Sequence, residues 1–195
     1  MLTEKLTLAS QSPRRAEILR AVGWQFEAIA SSIDETRFPH EDAAAYVKRI
    51  ARAKAETVAK RNAGLVLGAD TVVVIDGEIL GQPRDDEDAR RMLHLLSGRW
   101  HEVLTGVAFV RDDHDAGVVV DHQTTRVLFA ELSAAEIDWY VATGEPRGKA
   151  GAYGIQGHAA LFVEEIAGDY FNIVGLPIRL VYELATRRHW LHSGQ

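Results

Sequence analysis

The stretch LTLASQSPRRAEILRAVGWQFEAIA, residues 6–30, decides how the chain is read. Leu6-Thr7-Leu8-Ala9 is a short apolar run and predicts a first strand. Ser12-Pro13 then offers an N-cap and a proline at the first helical position, so a helix is expected to about Val22, where Gly23 ends it. Gln25 to Ile29 alternates between polar and apolar residues and predicts a second strand. A strand, a helix and a strand in immediate succession are the unit from which α/β folds are built.

The alternation continues outward from there. From Glu41 to Arg61 the apolar positions Ala44, Val47, Ile50, Ala51, Ala55 and Val58 recur at helical spacing, and Asn62-Ala63-Gly64 closes that helix. Leu65 to Ile75 predicts a strand, Asp76-Gly77 a two-residue hairpin turn, and Glu78-Ile79-Leu80 the returning strand. Asp85 to Leu96 is a further amphipathic helix. Arg99 to Val110 and Val118 to Phe129 are two long strands joined by the acidic loop Arg111 to Gly117. Ser133, with Glu136 at the capping-box position, starts a helix through Tyr140. Gly144 to Gly157 is glycine-rich and irregular, His158 to Ile166 is expected as a strand, and Val174 to Arg188 as a final helix. The expected class is therefore α/β with a mixed sheet, in one domain spanning residues 1–195.

Composition bounds the function. The 195 residues are 47% hydrophobic and 26% charged, ordinary values for a globular chain that buries roughly 70% of its unfolded surface. Cysteine is absent, which excludes disulfides, thiolate zinc sites and thiol catalysis. Residues Met1 to Lys5 show no basic segment leading into a long apolar one, so no signal peptide is expected, and a cytoplasmic location is. No apolar run approaches the ~20 residues of a membrane helix. The net charge of −6 argues against a nonspecific grip on nucleic acid, but not against a small anionic ligand.

Four segments carry candidate chemistry. In Ala9-Ser10-Gln11-Ser12-Pro13-Arg14-Arg15 two arginines fall in the first turn of a helix. Cations are locally unfavourable there unless an anion is bound between them and the helix end. The plain alternative is a capped surface helix. Gly68-Ala69-Asp70-Thr71 places a carboxylate in an apolar strand, where it costs several kcal/mol, on the order of a buried charge, unless paired or holding a metal. Gly68 lets something approach the backbone closely. Ser32-Ile33-Asp34-Glu35-Thr36 supplies two acids, one of which can share a divalent ion with Asp70. Lys54, near Lys48, Arg49 and Arg52, reads by itself as an exposed cation. Lys149 to Gly157 lies in a run of five glycines that includes Gln156, whose amide suits the edge of a nucleobase. The run matches neither a phosphate-binding Walker loop nor a dinucleotide fingerprint. His101, His158 and the tail histidines fall at no metal-binding spacing and read as surface or core residues.

Taken in order, these segments resemble the Maf family. The pieces are Ala-Ser-x-Ser-Pro-Arg-Arg at Ala9 to Arg15, Asp-Glu-Thr at Asp34 to Thr36, Lys54, and Gly-Ala-Asp-Thr at Gly68 to Thr71. Pro-Arg-Asp at Pro83 to Asp85, Leu-Ser-Gly at Leu96 to Gly98, Lys-Ala-Gly-Ala-Tyr-Gly-Ile-Gln-Gly at Lys149 to Gly157 and Val-Gly-Leu-Pro at Val174 to Pro177 complete the set. The resemblance implies a two-lobed fold similar to that of inosine-triphosphate pyrophosphatases, with a cleft between the lobes. It implies metal-dependent hydrolysis of a nucleoside triphosphate to the monophosphate and pyrophosphate, with Mg²⁺ or Mn²⁺ as cofactor. By the same resemblance Asp70 is the general base, and Glu35 and Asp70 hold the metal. Ser10, Arg14, Arg15, Lys54, Thr71, Lys149 and Gln156 bind the substrate. Arg14, Thr71 and Gln156 match the branch preferring dTTP and UTP. The rival readings are hydrolysis of 7-methyl-GTP or another non-standard nucleotide, and a nucleotide-binding regulator of cell division without turnover. The family often dimerises, although no feature of this sequence forces a homodimer. Two positions depart from the family pattern: Gln82 stands where lysine is frequent, and Gly148 where the loop usually has aspartate.

Overall fold

A computed structural model describes residues 2, 4–111 and 117–191, so most of the expected acidic loop lies outside the described residues. The elements run β1 (Leu6–Leu8), α1 (Pro13–Ala21), β2 (Phe26–Ala28), α2 (Ala43–Ala59), β3 (Leu65–Ile75), β4 (Glu78–Leu80) and α3 (Asp86–Leu96). Then follow β5 (Trp100–Arg111), β6 (Val118–Phe129), α4 (Ala134–Ala142), β7 (Val163–Ala167), α5 (Tyr170–Val174) and α6 (Ile178–Arg187). The strands pair in the order β2-β1-β3-β5-β6-β7, with β4 on β3. β1 is parallel to both β2 and β3, while β4 and β7 run antiparallel to their neighbours, so the sheet is mixed as expected. No helix among the described residues is long and apolar enough to cross a membrane.

By its contacts the chain divides into two compact units. The first comprises Met1–Asp70, Thr105–Gln123 and Gly175–Gln195; the second comprises Thr71–Leu104 and Thr124–Val174.

In the first unit α2 lies on the sheet through small side chains: Ala51, Ala55, Val58 and Ala59 cluster with Ala9, Val66, Ala108 and Val110. Two glycines make this approach possible. A Cβ on Gly68 would stand 2.2 Å from the carbonyl oxygen of Ala51, and one on Gly106 would stand 2.2 Å from that of Val47. What comes close to the Gly68 backbone is thus helix α2. Asp42 caps α2 by accepting from the Ala45 N–H at 2.7 Å, a contact worth about 1 kcal/mol.

In the second unit Asp76 and Gly77 have φ of 50° and 78°, the two positive values that a tight hairpin of the predicted kind demands. Asp85 caps α3, and Ser133 with Glu136 forms the expected capping box on α4. The core here is aromatic: Phe129 meets the rings of His101, Tyr153 and Phe162 edge-on.

Two expectations are corrected. Residues His158–Phe162 form a 3₁₀ turn, and the strand begins only at Val163. The main-chain N–H groups of His158 and Ala159 bond to the Glu145 carboxylate and are not available to a ladder. The final helix, expected from Val174 to Arg188, begins only at Ile178, and a short helix not expected from the sequence, α5, precedes it and ends at Val174. Gly175, at φ 114°, cannot continue a helix, and Pro177 stands at the N-cap of the next one.

Candidate active site

β1 ends in Ala9-Ser10 and the chain turns into α1, capped by Ser12 with Pro13 at its first position. Ser10 is buried, and its Oγ accepts from the Ser12 N–H and from Arg15 Nη1, each at 3.1 Å. Arg15 Nε donates to the Gly175 carbonyl at 2.7 Å, tying the start of α1 to the linker ahead of α6. Burial lowers the Arg15 pKa, while the charges of Asp70 and Glu35 act the other way. Arg14 is half-buried and has no hydrogen bond or ion pair among the described residues. The two arginines of the motif therefore differ: Arg15 is held by the protein, and Arg14 is available to an anion.

Asp70 is buried in β3, on the same strand face as Gly68 two residues earlier. Because Gly68 allows α2 to sit directly on that face, Lys54 of α2 reaches Asp70: its Nζ lies 2.7 Å from Asp70 Oδ1. The same Nζ lies 2.8 Å from Glu35 Oε1, so the two carboxylate oxygens are no farther apart than the sum of those distances. Lys54 is only 12% exposed, which overturns its reading from sequence as a surface cation. Its single ammonium stands between the two acids and offsets part of their charge. Burial pushes the Asp70 pKa up; Lys54 and then Arg15 oppose that shift, and Glu35 adds to it. Asp70 is thus a carboxylate kept more basic than usual, a property of use to a group that must accept a proton.

The segment that carries Glu35 is fastened to α2 by residues the sequence reading did not single out for this task. Tyr46 donates its hydroxyl to the Glu35 carbonyl at 2.9 Å. Its pKa is pushed up to about 12, mainly by burial and further by Asp70 and Glu35, so it stays a donor. Arg49 makes a bidentate pair with Glu41 at 2.6 and 2.7 Å, donates to the Thr36 carbonyl at 3.0 Å and stacks on Phe38. Asp34 spends its carboxylate on the Thr36 N–H at 2.8 Å, leaving Glu35 as the acid of that pair that faces Lys54. Tyr46 and Arg49 are three apart and share a helix face, a spacing that could have linked those two; Lys54, five positions after Arg49, lies well round the helix from it.

Thr71, Lys149 and Gln156 belong to the second unit. Thr71 follows Asp70 in β3 and is half-buried. Lys149 folds back so that its Nζ donates to the Glu145 carbonyl, and its stem packs under Gly154. Gln156 is exposed and makes no hydrogen bond among the described residues. Gly148 has φ +70°, a left-handed conformation in which glycine costs least, and Lys149 has a main-chain carbonyl among its acceptors. Gln82 is exposed just before Pro83.

Among the described residues no group of three or more His, Asp or Glu side chains could hold a metal. Glu35 and Asp70 form a pair. A magnesium ion bound together with a polyphosphate takes one or two protein carboxylates and fills its remaining positions with phosphate oxygens and water. Two hard oxygen donors converging on one cationic nitrogen fit that requirement.

The model of the family described as Maf-like protein matches residues 5–188. The chain belongs to the Maf family. A curated relative from Symbiobacterium thermophilum, named dTTP/UTP pyrophosphatase, is 51% identical over 185 residues, 94% of either chain. One of the same name from Anaeromyxobacter dehalogenans is 52% identical over 178 residues, covering 91% of this chain and 90% of its own. Among solved structures, the Ham1 protein of Staphylococcus aureus superposes over 94% of this Maf chain and 99% of its own, with a TM-score of 0.56 at 13% identity. A HAM1 protein from Coxiella burnetii gives 0.55 at 17% identity, over 95% and 100%. At such identities these two structures establish the shared fold alone.

Proposed function

We propose that this Maf protein hydrolyses dTTP and UTP to the nucleoside monophosphate and pyrophosphate. The observation that carries the reading is the trio Glu35–Lys54–Asp70, in which a buried, basic carboxylate lies beside a cation and a second acid. The pyrimidine specificity is supported by relatives of about half identity that bear the name dTTP/UTP pyrophosphatase over nearly the full chain.

Hydrolysis adds water across the bond between the α- and β-phosphates. Asp70 takes the proton of the attacking water, the new oxygen–phosphorus bond forms at the α-phosphorus, and pyrophosphate leaves. Glu35 and Asp70 would hold a divalent ion, which supplies charge neutralisation and polarises the phosphoryl group. Arg14 and the N-terminal amides of α1 suit the anionic chain of phosphates, with Ser10 as a hydroxyl partner aligned by Arg15. Lys54, an ammonium already placed at the acids, can turn to a phosphate when one arrives. Thr71, Lys149 and Gln156 bind substrate in this reading, and the donor–acceptor amide of Gln156 suits the base. A protein that acts on free nucleotides and lacks cysteine suits the cytoplasm.

Turnover in ¹⁸O-labelled water tests where the attack falls. The label is expected in the monophosphate, and label found in pyrophosphate would place the attack at the β-phosphorus and overturn this assignment.

A further inference from the structure

In the second unit one acid, outside the set treated so far, organises the whole loop that carries Gln156. Glu145 follows α4 in Gly144-Glu145-Pro146, and its carboxylate is only 15% exposed. Oε2 accepts from the His158 N–H at 2.9 Å and pairs with His158 Nδ1 at 2.8 Å. Oε1 accepts from the Tyr140 hydroxyl at 3.0 Å and from the Ala159 N–H at 3.4 Å. The Tyr140 oxygen in turn accepts from the Gly154 N–H at 3.3 Å. The Glu145 carbonyl takes the ammonium of Lys149. A Cβ on Gly157 would lie 2.4 Å from either carboxylate oxygen, so only glycine lets the chain pass there.

One residue therefore fastens Lys149 at the start of the loop, Gly154 near its middle through Tyr140, and Gly157 to Ala159 at its end. Ile155 is buried between these points, and Gln156 is the side chain left projecting from them. A carboxylate suits the task because its two oxygens offer about four acceptor sites, and main-chain and side-chain donors fill them. Those hydrogen bonds outweigh burial and hold the Glu145 pKa below its ordinary value, so the clamp stays charged.

We infer that Glu145 is a positioning residue for base selection, fixing the main chain on either side of Gln156 so that its amide is presented in one orientation to the edge of the pyrimidine. This deepens the dTTP/UTP reading and rests on it. dTTP and UTP carry a carbonyl and a ring N–H on that edge, whereas dCTP carries an amino group and a bare ring nitrogen. An amide held in one orientation distinguishes the two patterns, and a loosened one does not.

The test compares kcat and KM for dTTP, UTP and dCTP in wild type, Glu145→Gln, Glu145→Ala and Gln156→Ala, with the melting temperature recorded for each. For Glu145→Ala, KM for dTTP and UTP rises roughly tenfold, the effect of one lost hydrogen bond. The value for dCTP rises less than about twofold, the wild-type preference narrows roughly five- to tenfold, and kcat is nearly unchanged. Glu145→Gln keeps one oxygen acceptor and falls between, which keeps the comparison open if the alanine variant does not fold. An equal loss on all three nucleotides, or a lowered melting temperature with the preference intact, makes Glu145 a structural staple and overturns the inference. If Gln156→Ala retains the full preference, the reading of Gln156 itself fails, and the clamp has no amide to position.

Discussion

Lys54 illustrates how much one side chain decides at the scale of the residue. A single ammonium lies within 2.8 Å of two carboxylates, one of them buried, so removing it leaves Asp70 enclosed with the charge of Arg15 to offset its own. Breaking a buried pair on one side typically costs about 3 kcal/mol. Lys54→Met is therefore expected to be less stable by about that amount in urea unfolding near neutral pH, and much of the loss should be recovered at a pH low enough to protonate Asp70. A loss that does not change with pH would mean that packing, not charge, is what Lys54 supplies. Asp70→Asn should behave in the opposite way, folding well because Lys54 still pairs with Glu35, yet losing activity.

Asp88 gives a second residue-scale prediction. Its buried carboxylate accepts from the Arg84 N–H, from Arg84 Nε and from Arg91 Nε, and its pKa is lowered to about 2, first by the Arg84 N–H bond. The folded value lies below the unfolded one, so the contribution to stability is complete above about pH 4 and disappears as pH falls toward 2. The stability difference between wild type and Asp88→Asn should follow that course; a difference independent of pH from 6 to 2 contradicts it.

At the scale of elements, the docking of α2 on β3 and β5 is what turns sequence into site. Gly68→Ala forces a methyl into the Ala51 carbonyl at 2.2 Å, and α2 must lift. Overpacking of this kind costs about 1–3 kcal/mol, and lifting α2 separates Lys54 from Asp70, so activity falls with the melting temperature. Gly81→Ala, where a Cβ meets nothing within 4 Å, is the matched control and should change neither. Wild-type activity in Gly68→Ala would mean that the close approach of α2 is not needed.

The same docking explains what was legible in the sequence. Strands and helices were readable where the pattern is local: the 3.6-residue period of α2, the Asp76-Gly77 turn, the Ser133–Glu136 capping box. Asp70 stood out because a charge inside an apolar strand is costly wherever the strand goes. Its partner did not stand out, because Lys54 lies sixteen positions earlier on a helix rich in exposed cations, and only the Gly68 contact selects it. Residues 158–162 were misread for a similar reason. Their backbone is diverted by the carboxylate of Glu145, thirteen positions away, and no local period reports a side chain that distant.

At the scale of the whole molecule, what is proposed is one reaction with one preferred class of base. The Maf family assignment covers residues 5–188, so the motifs from Ala9 to Pro177 belong to one family pattern and not to separate borrowed pieces. The departures Gln82 and Gly148 act at this scale too: against the family pattern the first removes a cation and the second a carboxylate beside Lys149. Gln82→Lys is expected to lower KM for every triphosphate several-fold without changing the preference among bases, because a phosphate contact carries no base information. An unchanged KM would mean that position 82 does not meet the phosphates.

The most direct measurement is pyrophosphate release from a panel of nucleoside triphosphates with Mg²⁺, comparing wild type with Asp70→Asn. Release should be fastest from dTTP and UTP and should fall by about 10²-fold or more in the variant while its melting temperature stays within a few degrees of wild type. Equal release by wild type and Asp70→Asn, or no release from any nucleotide by the folded, metal-supplied wild type, would contradict the assignment of this site as a nucleotide pyrophosphatase.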